Sequence, residues 1–173
     1  MSKSIIILRH AKSSWINSDV DDHERPLSSR GYKNAREMAE FLKIKKYKPD
    51  YIICSSAKRA ILTLGPIIEM WPDIPVNITN KIYLASSDEI LMILKKQIEY
   101  SKILIIGHNP GLANLLSYLI DINNLDYNDE LSYSIKKLPT CSLAMISLEI
   151  NYWKEIFQSK GSLKSFITPK DIS

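Results

Sequence analysis

Three short apolar runs constrain the fold most: SIIILR (4–9), DYIICSS (50–56) and SKILIIGH (101–108). Each is a continuous block of branched residues, too short for a helix and lacking the alternation of a strand with one face in water. Such runs form strands buried on both faces, which occurs where helices cover a mainly parallel sheet. The segments between them supply those helices. SSRGYKNAREMAEFLKIKK (28–46) places Ala35, Met38, Ala39 and Leu42 at three- and four-residue spacing, an amphipathic stripe. SAKRAILTLGPIIEMW (56–71) reads as a second helix capped by Ser55 or Ser56, with Gly65 and Pro66 as points of kinking or division. SSDEILMILKKQIEY (86–100) has Ser86 or Ser87 as its cap and acidic residues in its first turn. PGLANLLSYLI (110–120) opens on a proline, a favoured first-turn residue. PVNITNKIY (75–83) holds a third strand, and CSLAMISLEI (141–150) and NYWKEIFQS (151–159) read as a closing pair. Segment 121–140 reads as a long loop or small excursion, and 160–173 as a loosely ordered tail. The expected architecture is a three-layer α/β/α sandwich with a mostly parallel central sheet. No repeat or linker divides the 173 residues, so a single domain over 1–173 is expected.

The remaining composition narrows the function classes. The net charge of +4 comes mostly from scattered lysines. Their densest cluster, Lys43, Lys45, Lys46 and Lys48, falls at a helix end, where cations suit the dipole. No aromatic interleaving accompanies it, so no nucleic-acid partner is expected. Cys54 and Cys141 lie far apart in apolar stretches and read as small buried residues, not as metal ligands or a disulfide. No run is long enough to span a membrane, and the N-terminus lacks the pattern of a signal peptide, so a cytoplasmic address is the default.

In open parallel sheets, ligands bind beyond the carboxyl ends of the strands. The first run ends in Arg9-His10, the second in Ser55-Ser56 with Arg59 one turn further, and the third in Gly107-His108-Asn109. Two of the chain's three histidines and two arginines thus fall on one rim. Arg-His at a strand end is alone an ordinary surface pair, and Gly-His after a strand is weak alone. Together they form a constellation. Guanidinium forks match phosphate oxygens. Nearby helix N-termini add N–H donors. One imidazole can carry a phosphoryl group while the other steadies the transferring oxygens. The set suits phosphoryl transfer through a phosphohistidine. His23, in the polar loop SDVDDHERP, reads as solvated.

At these residues the chain resembles the histidine phosphatase superfamily, with its phosphoglycerate-mutase-like fold. The family's Arg-His-Gly appears as Arg9-His10-Ala11. Its Ser-x-x-x-Arg-Ala-x-x-Thr appears as Ser55, Arg59, Ala60 and Thr63, its late Gly-His as Gly107-His108, and its Pro-Leu-Ser/Thr-x-x-Gly segment lies within RPLSSRG (25–31). Small size and the stretch LRHAKSSW look most like the SixA-type phosphohistidine phosphatases. The resemblance implies that His10 attacks phosphorus, that Arg9, Arg59 and His108 clamp the phosphoryl oxygens, and that water then hydrolyses the phosphoenzyme. It implies no metal or cofactor and a monomer. Ser13 and Asn109 are candidate further substrate contacts. The glycine is Ala11 here, and Ile16 stands where many members have asparagine, which argues against a mutase-type sugar-phosphate pocket. For a general acid, Asp21, Asp22, Asp88 and Glu89 all stay open; Asp22 and Glu89 are carried as candidate substrate-binding residues. A phosphohistidine substrate relaxes the need for an acid, because a protonated imidazole leaves readily whereas an alkoxide needs a proton. The expected activity is a metal-independent phosphatase acting on protein phosphohistidine. The alternatives are a phosphatase of a small phosphorylated metabolite and a phosphate- or phosphopeptide-binding module without turnover.

Overall fold

The computed structural model describes residues 2–120, 129–157 and 160–172. Its strands are β1 (Lys3–Arg9), β2 (Tyr51–Ser55), β3 (Val76–Thr79), β4 (Lys102–Gly107), β5 (Leu143–Leu148) and β6 (Gly161–Ile167). Its helices are α1 (Ser29–Ile44), α2 (Lys58–Met70), α3 (Ser87–Lys95), α4 (Gly111–Ile120) and α5 (Asp129–Lys137). The strands form one sheet in the order β3-β2-β4-β1-β5-β6. β1, β2, β3 and β4 are parallel, and β5 alone opposes the rest. Successive strand residues point to opposite faces. Ile5 and Ile7 therefore join a core with Leu94, Leu112 and Leu116 from α3 and α4, while Ile6 and Leu8 join another with Met38, Leu42 and Leu64 from α1 and α2. This is the three-layer sandwich that the continuous apolar runs require. Among the described residues no helix is long and apolar enough to cross a membrane.

Several local expectations need correction. α2 runs through Pro66 without division, and its N-cap is Ala57; Ser55 Oγ accepts from the Ala57 N–H at 3.2 Å from the strand side. The expected strand at 151–159 is not one. Residues Trp153–Glu155 form a 3-10 turn that buries Trp153 and Ile156, three residues apart, on one side. The Trp153 indole N–H donates to the Tyr100 carbonyl at 2.7 Å, and Glu155 Oε2 accepts from the Asn151 N–H at 3.0 Å. The closing strand is instead β6, in the segment read as a loose tail, paired along β5. Within 121–140, residues 129–137 form α5 and 121–128 lie outside the described residues.

Gly31, in the first turn of α1, has a specific reason. A Cβ there would collide with the Lys12 carbonyl oxygen, so the helix can approach the segment after β1 only without a side chain. Ser28 caps the same turn, accepting from the Gly31 N–H at 3.1 Å while its own hydroxyl donates to the Lys12 carbonyl at 3.1 Å. The start of α1 is thereby tied to the rim that carries the histidines.

Candidate active site

The site follows from sheet register. Arg9 pairs with Gly107 across the parallel β1–β4 ladder. The next residues, His10 and His108, thus leave adjacent strands side by side, and the His10 N–H donates to the Gly107 carbonyl at 3.1 Å. Adjacent strands lie roughly 4.8 Å apart, and the two ring centroids are 5.0 Å apart. Ala11 is buried with a φ outside the left-handed region, so the alanine in place of the family's glycine fits without backbone strain.

Hydrogen bonds assign each tautomer. His10 Nδ1 lies 2.7 Å from the Ala11 carbonyl, which can only accept. Nδ1 therefore carries the proton, and the Nε2 lone pair is left uncommitted. An Arg59 Nη2 lies 3.4 Å from His108 Nδ1 and can only donate, so His108 carries its proton on Nε2 and donates to Ser55 Oγ at 2.7 Å. Burial pushes His10 down to about 4, with the charges of Arg59 and Arg9 adding to the shift against the Ala11 hydrogen bond. Burial, then His10 and Arg59, push His108 down to about 3. Both imidazoles are neutral at pH 7.

The i, i+4 spacing of Arg59 and Thr63 puts both on the sheet-facing side of α2. Thr63 Oγ1 donates to the Arg59 carbonyl at 2.7 Å and accepts from the Ala11 N–H at 2.9 Å, which locks the helix to the backbone just past His10. Arg9 Nη1 donates to the Leu138 carbonyl at 2.9 Å. Burial and the neighbouring Arg59 charge both lower the Arg9 pKa. The Nε atoms of Arg9, Arg59 and Arg25 are buried without a hydrogen-bond partner. Buried donors without partners are costly. The three guanidinium groups themselves line one cleft, and such a convergence of cations suits an anion that accepts from them.

The cleft, about 400 Å³, is lined by Arg9, His10, Arg59 and His108 together with Lys12, Ser13, Trp15, Asp22, Arg25, Leu84, Asn109 and Thr140. Ser13 is buried there and bridges to Leu27. Asn109 lines the cleft but its Nδ2 is committed to the Lys137 and Leu138 carbonyls, at 2.8 and 3.2 Å. Asp22 reaches in from the loop before α1. Its Oδ2 accepts from Arg59 Nη2 at 2.9 Å and from the Tyr83 hydroxyl at 2.6 Å, and its Oδ1 pairs with Arg25 Nη2. The Tyr83 hydrogen bond, then Arg59, hold the Asp22 carboxyl below its ordinary range. Glu89 lies outside the cleft: it completes a capping box with Ser86, accepting the Ser86 N–H at 2.8 Å. His23 is not simply solvated; its Nε2 lies 2.9 Å from Ser56 Oγ and its ring stands edge-on to Tyr83 at 5.0 Å. Arg25 and Tyr83 were not marked from sequence as site residues. The signal of RPLSSRG is its Pro-Leu-Ser-x-x-Gly and not Arg25, and Tyr83 reaches the site through Asp22 and by standing edge-on to the His108 ring at 5.4 Å. Among the described residues no three His, Cys, Asp or Glu side chains group to hold a metal.

A rim of three guanidinium groups, those of Arg25 and Arg59 buried, and two neutral imidazoles, one with an open lone pair, is equipped to accept a phosphoryl group. The family profile of the Histidine phosphatase superfamily (branch 1) matches residues 5–82. An uncharacterised chloroplast protein of Arabidopsis thaliana is 30% identical over 172 residues, covering 93% of this chain and 73% of its own. The chain belongs to the histidine phosphatase superfamily. The fold superposes on a protein of Agrobacterium tumefaciens provisionally assigned as the phosphohistidine phosphatase SixA, with a TM-score of 0.80 at 24% identity and coverage of 98% and 99% of the two chains. A protein histidine phosphatase SixA complexed with tungstate has the same fold, with a TM-score of 0.76 at 18% identity and coverage of 98% and 99%.

Proposed function

We propose that this phosphatase removes phosphoryl groups from protein phosphohistidine by way of a phosphoryl group carried on His10. The observation that carries this reading is the setting of Asp22, the one carboxylate lining the cleft among the described residues, which accepts from Tyr83 and Arg59 at 2.6 and 2.9 Å and is kept ionised by them. With both imidazoles neutral before substrate binds, the Asp22 carboxyl is the group that would serve as acid, and it is held as a carboxylate. An alkyl phosphate would have to leave as an unassisted alkoxide. A phosphoimidazole protonated on its free ring nitrogen leaves as neutral imidazole and needs no such acid.

The His10 Nε2 lone pair forms a bond to phosphorus as the P–N bond of the substrate breaks, and the substrate imidazole departs with that electron pair. Phosphorylated His10 keeps its Nδ1 proton, and the Ala11 carbonyl at 2.7 Å steadies the positive ring. Arg9 and Arg59 donate to the equatorial oxygens, with Arg25 as a further guanidinium at the cleft, while His108, its proton committed to Ser55 Oγ, orients Arg59 through its Nδ1 lone pair. Water then attacks phosphorus, the P–Nε2 bond breaks, and phosphate and a proton are released. A SixA protein of the same fold is complexed with tungstate, a tetrahedral oxyanion of phosphate's shape, in keeping with a phosphoryl substrate.

The test compares phosphoramidate and a phosphohistidine protein with phosphoserine. A general acid contributes roughly 10²–10⁴-fold, so kcat/KM should be at least ~10²-fold higher for the P–N substrates. Acid-labile phosphate should be trapped on the wild type and not on His10→Ala. Equal turnover of phosphoserine would overturn the substrate class, and turnover without a trapped intermediate would overturn the role of His10.

A further inference from the structure

We propose that Trp15, Ile16 and Leu84 form an apolar lip that docks the folded protein bearing the phosphoryl group, an inference that rests on the phosphatase reading above. Trp15 is 68% exposed and Leu84 54% exposed, and both line the mouth of the cleft. Ile16, 97% exposed, adjoins Trp15 but lies outside the lining. Single exposed apolar residues are ordinary; a group beside a ligand cleft is a recognition feature.

Two of the three are held in place by the chain itself. The Arg25 guanidinium sits 3.5 Å from the centre of the Trp15 ring, while its Nη2 pairs with Asp22 inside the cleft. The indole is thus an exposed aromatic fixed from beneath, which lowers the entropy lost when a partner covers it. Leu84 has a φ of 51°, in the left-handed region that costs a residue with a Cβ roughly 1–2 kcal/mol. The side chain stands half in solvent, so its own burial returns only part of this strain. Strain only partly returned, beside a site, points to a partner.

The position of Ile16 selects the partner. A metabolite whose phosphoryl group reaches His10 ends within the cleft and leaves Ile16 in water. A protein surface around a phosphorylated histidine extends past the mouth and covers it. Lys12, exposed at the mouth, favours acidic residues bordering that surface. The occupant is therefore a convex protein surface, such as an exposed helix, whose phosphohistidine is flanked by apolar residues with acidic ones outside them.

The experiment uses two helical bundles, each phosphorylated by phosphoramidate on one exposed histidine, with leucine or serine at the flanking positions. The wild type should prefer the leucine-flanked bundle by about tenfold in kcat/KM, through KM, the effect of a contact of about 1.4 kcal/mol. Ile16→Asp should erase the preference and leave phosphoramidate hydrolysis within about twofold of wild type. Leu84→Asn, which tolerates the left-handed backbone, should reduce the preference without lowering Tm. Equal KM values for the two bundles, or a preference that survives Ile16→Asp, would overturn the lip alone. Failure to hydrolyse any P–N substrate would overturn the phosphatase reading itself. Dimerisation through the lip in sedimentation, lost in Ile16→Asp, would overturn the proposal in favour of a second copy as the occupant.

Discussion

Acidifying the unliganded protein from pH 7.5 to pH 5 should weaken it through the two histidines of the cleft. In the folded chain His10 titrates near 4 and His108 near 3, against 6.5 for an ordinary histidine. Each is a base whose folded pKa is depressed. Between those values the unfolded chain binds the proton and the folded chain does not, so stability is complete above about pH 6.5 and falls as pH drops toward 4. At pH 5 an unfolded histidine is almost wholly protonated, which makes the loss about 2 kcal/mol for each ring and about 4 kcal/mol for both. Each kcal/mol moves Tm by roughly 2–4 °C in a domain of this size, so Tm should fall by roughly 8–16 °C. Differential scanning calorimetry in phosphate-free buffers measures it. Because other groups also titrate, the decisive comparison is with the His10→Gln/His108→Gln double variant, whose slope should be shallower by about that amount. Saturating phosphate should flatten the wild-type curve, since a bound dianion favours protonated rings. A wild-type fall below about 3 °C, or a double variant with the wild-type slope, would refute the assignment of two buried neutral imidazoles.

Two further perturbations address the frame of the site. Arg59→Ala should lower kcat by roughly 10² or more, as loss of one preorganised donor does; less than a twofold change in steady-state rate would remove Arg59 from the reaction. Gly31→Ala drives a methyl group into the Lys12 carbonyl and should cost about 1–3 kcal/mol by urea unfolding, as overpacking does; an unchanged midpoint would show that α1 shifts freely from the rim.

The sheet was legible because its central strands are unbroken branched runs, which admit few alternatives. The convergence of His10, His108 and Arg59 was legible because chemistry-bearing residues end those same runs, and parallel strands bring such ends together. NYWKEIFQS misled because Trp153, Ile156 and Phe157 fit a turn's three-residue spacing as well as a strand's pattern. β6 stayed hidden because an edge strand with Ser162, Lys164 and Ser165 carries little apolar signal. Glu89 was ambiguous because a capping-box glutamate and an active-site acid look alike in a first turn. Asp22 became distinct only in three dimensions, when its loop folded back onto Arg59 and Tyr83, a contact that spans 61 residues to Tyr83 and has no periodic signature.

His10 and His108 hang from neighbouring strands joined by a main-chain hydrogen bond. Their separation is therefore a property of the β-sheet's own lattice spacing and hardly of side-chain choice. Substitutions elsewhere can redraw the walls around the reacting atoms without pulling the two rings apart, so a change of substrate in this scaffold is expected to be written in the loops at 12–25, 80–85 and 138–141, with the floor left as it is.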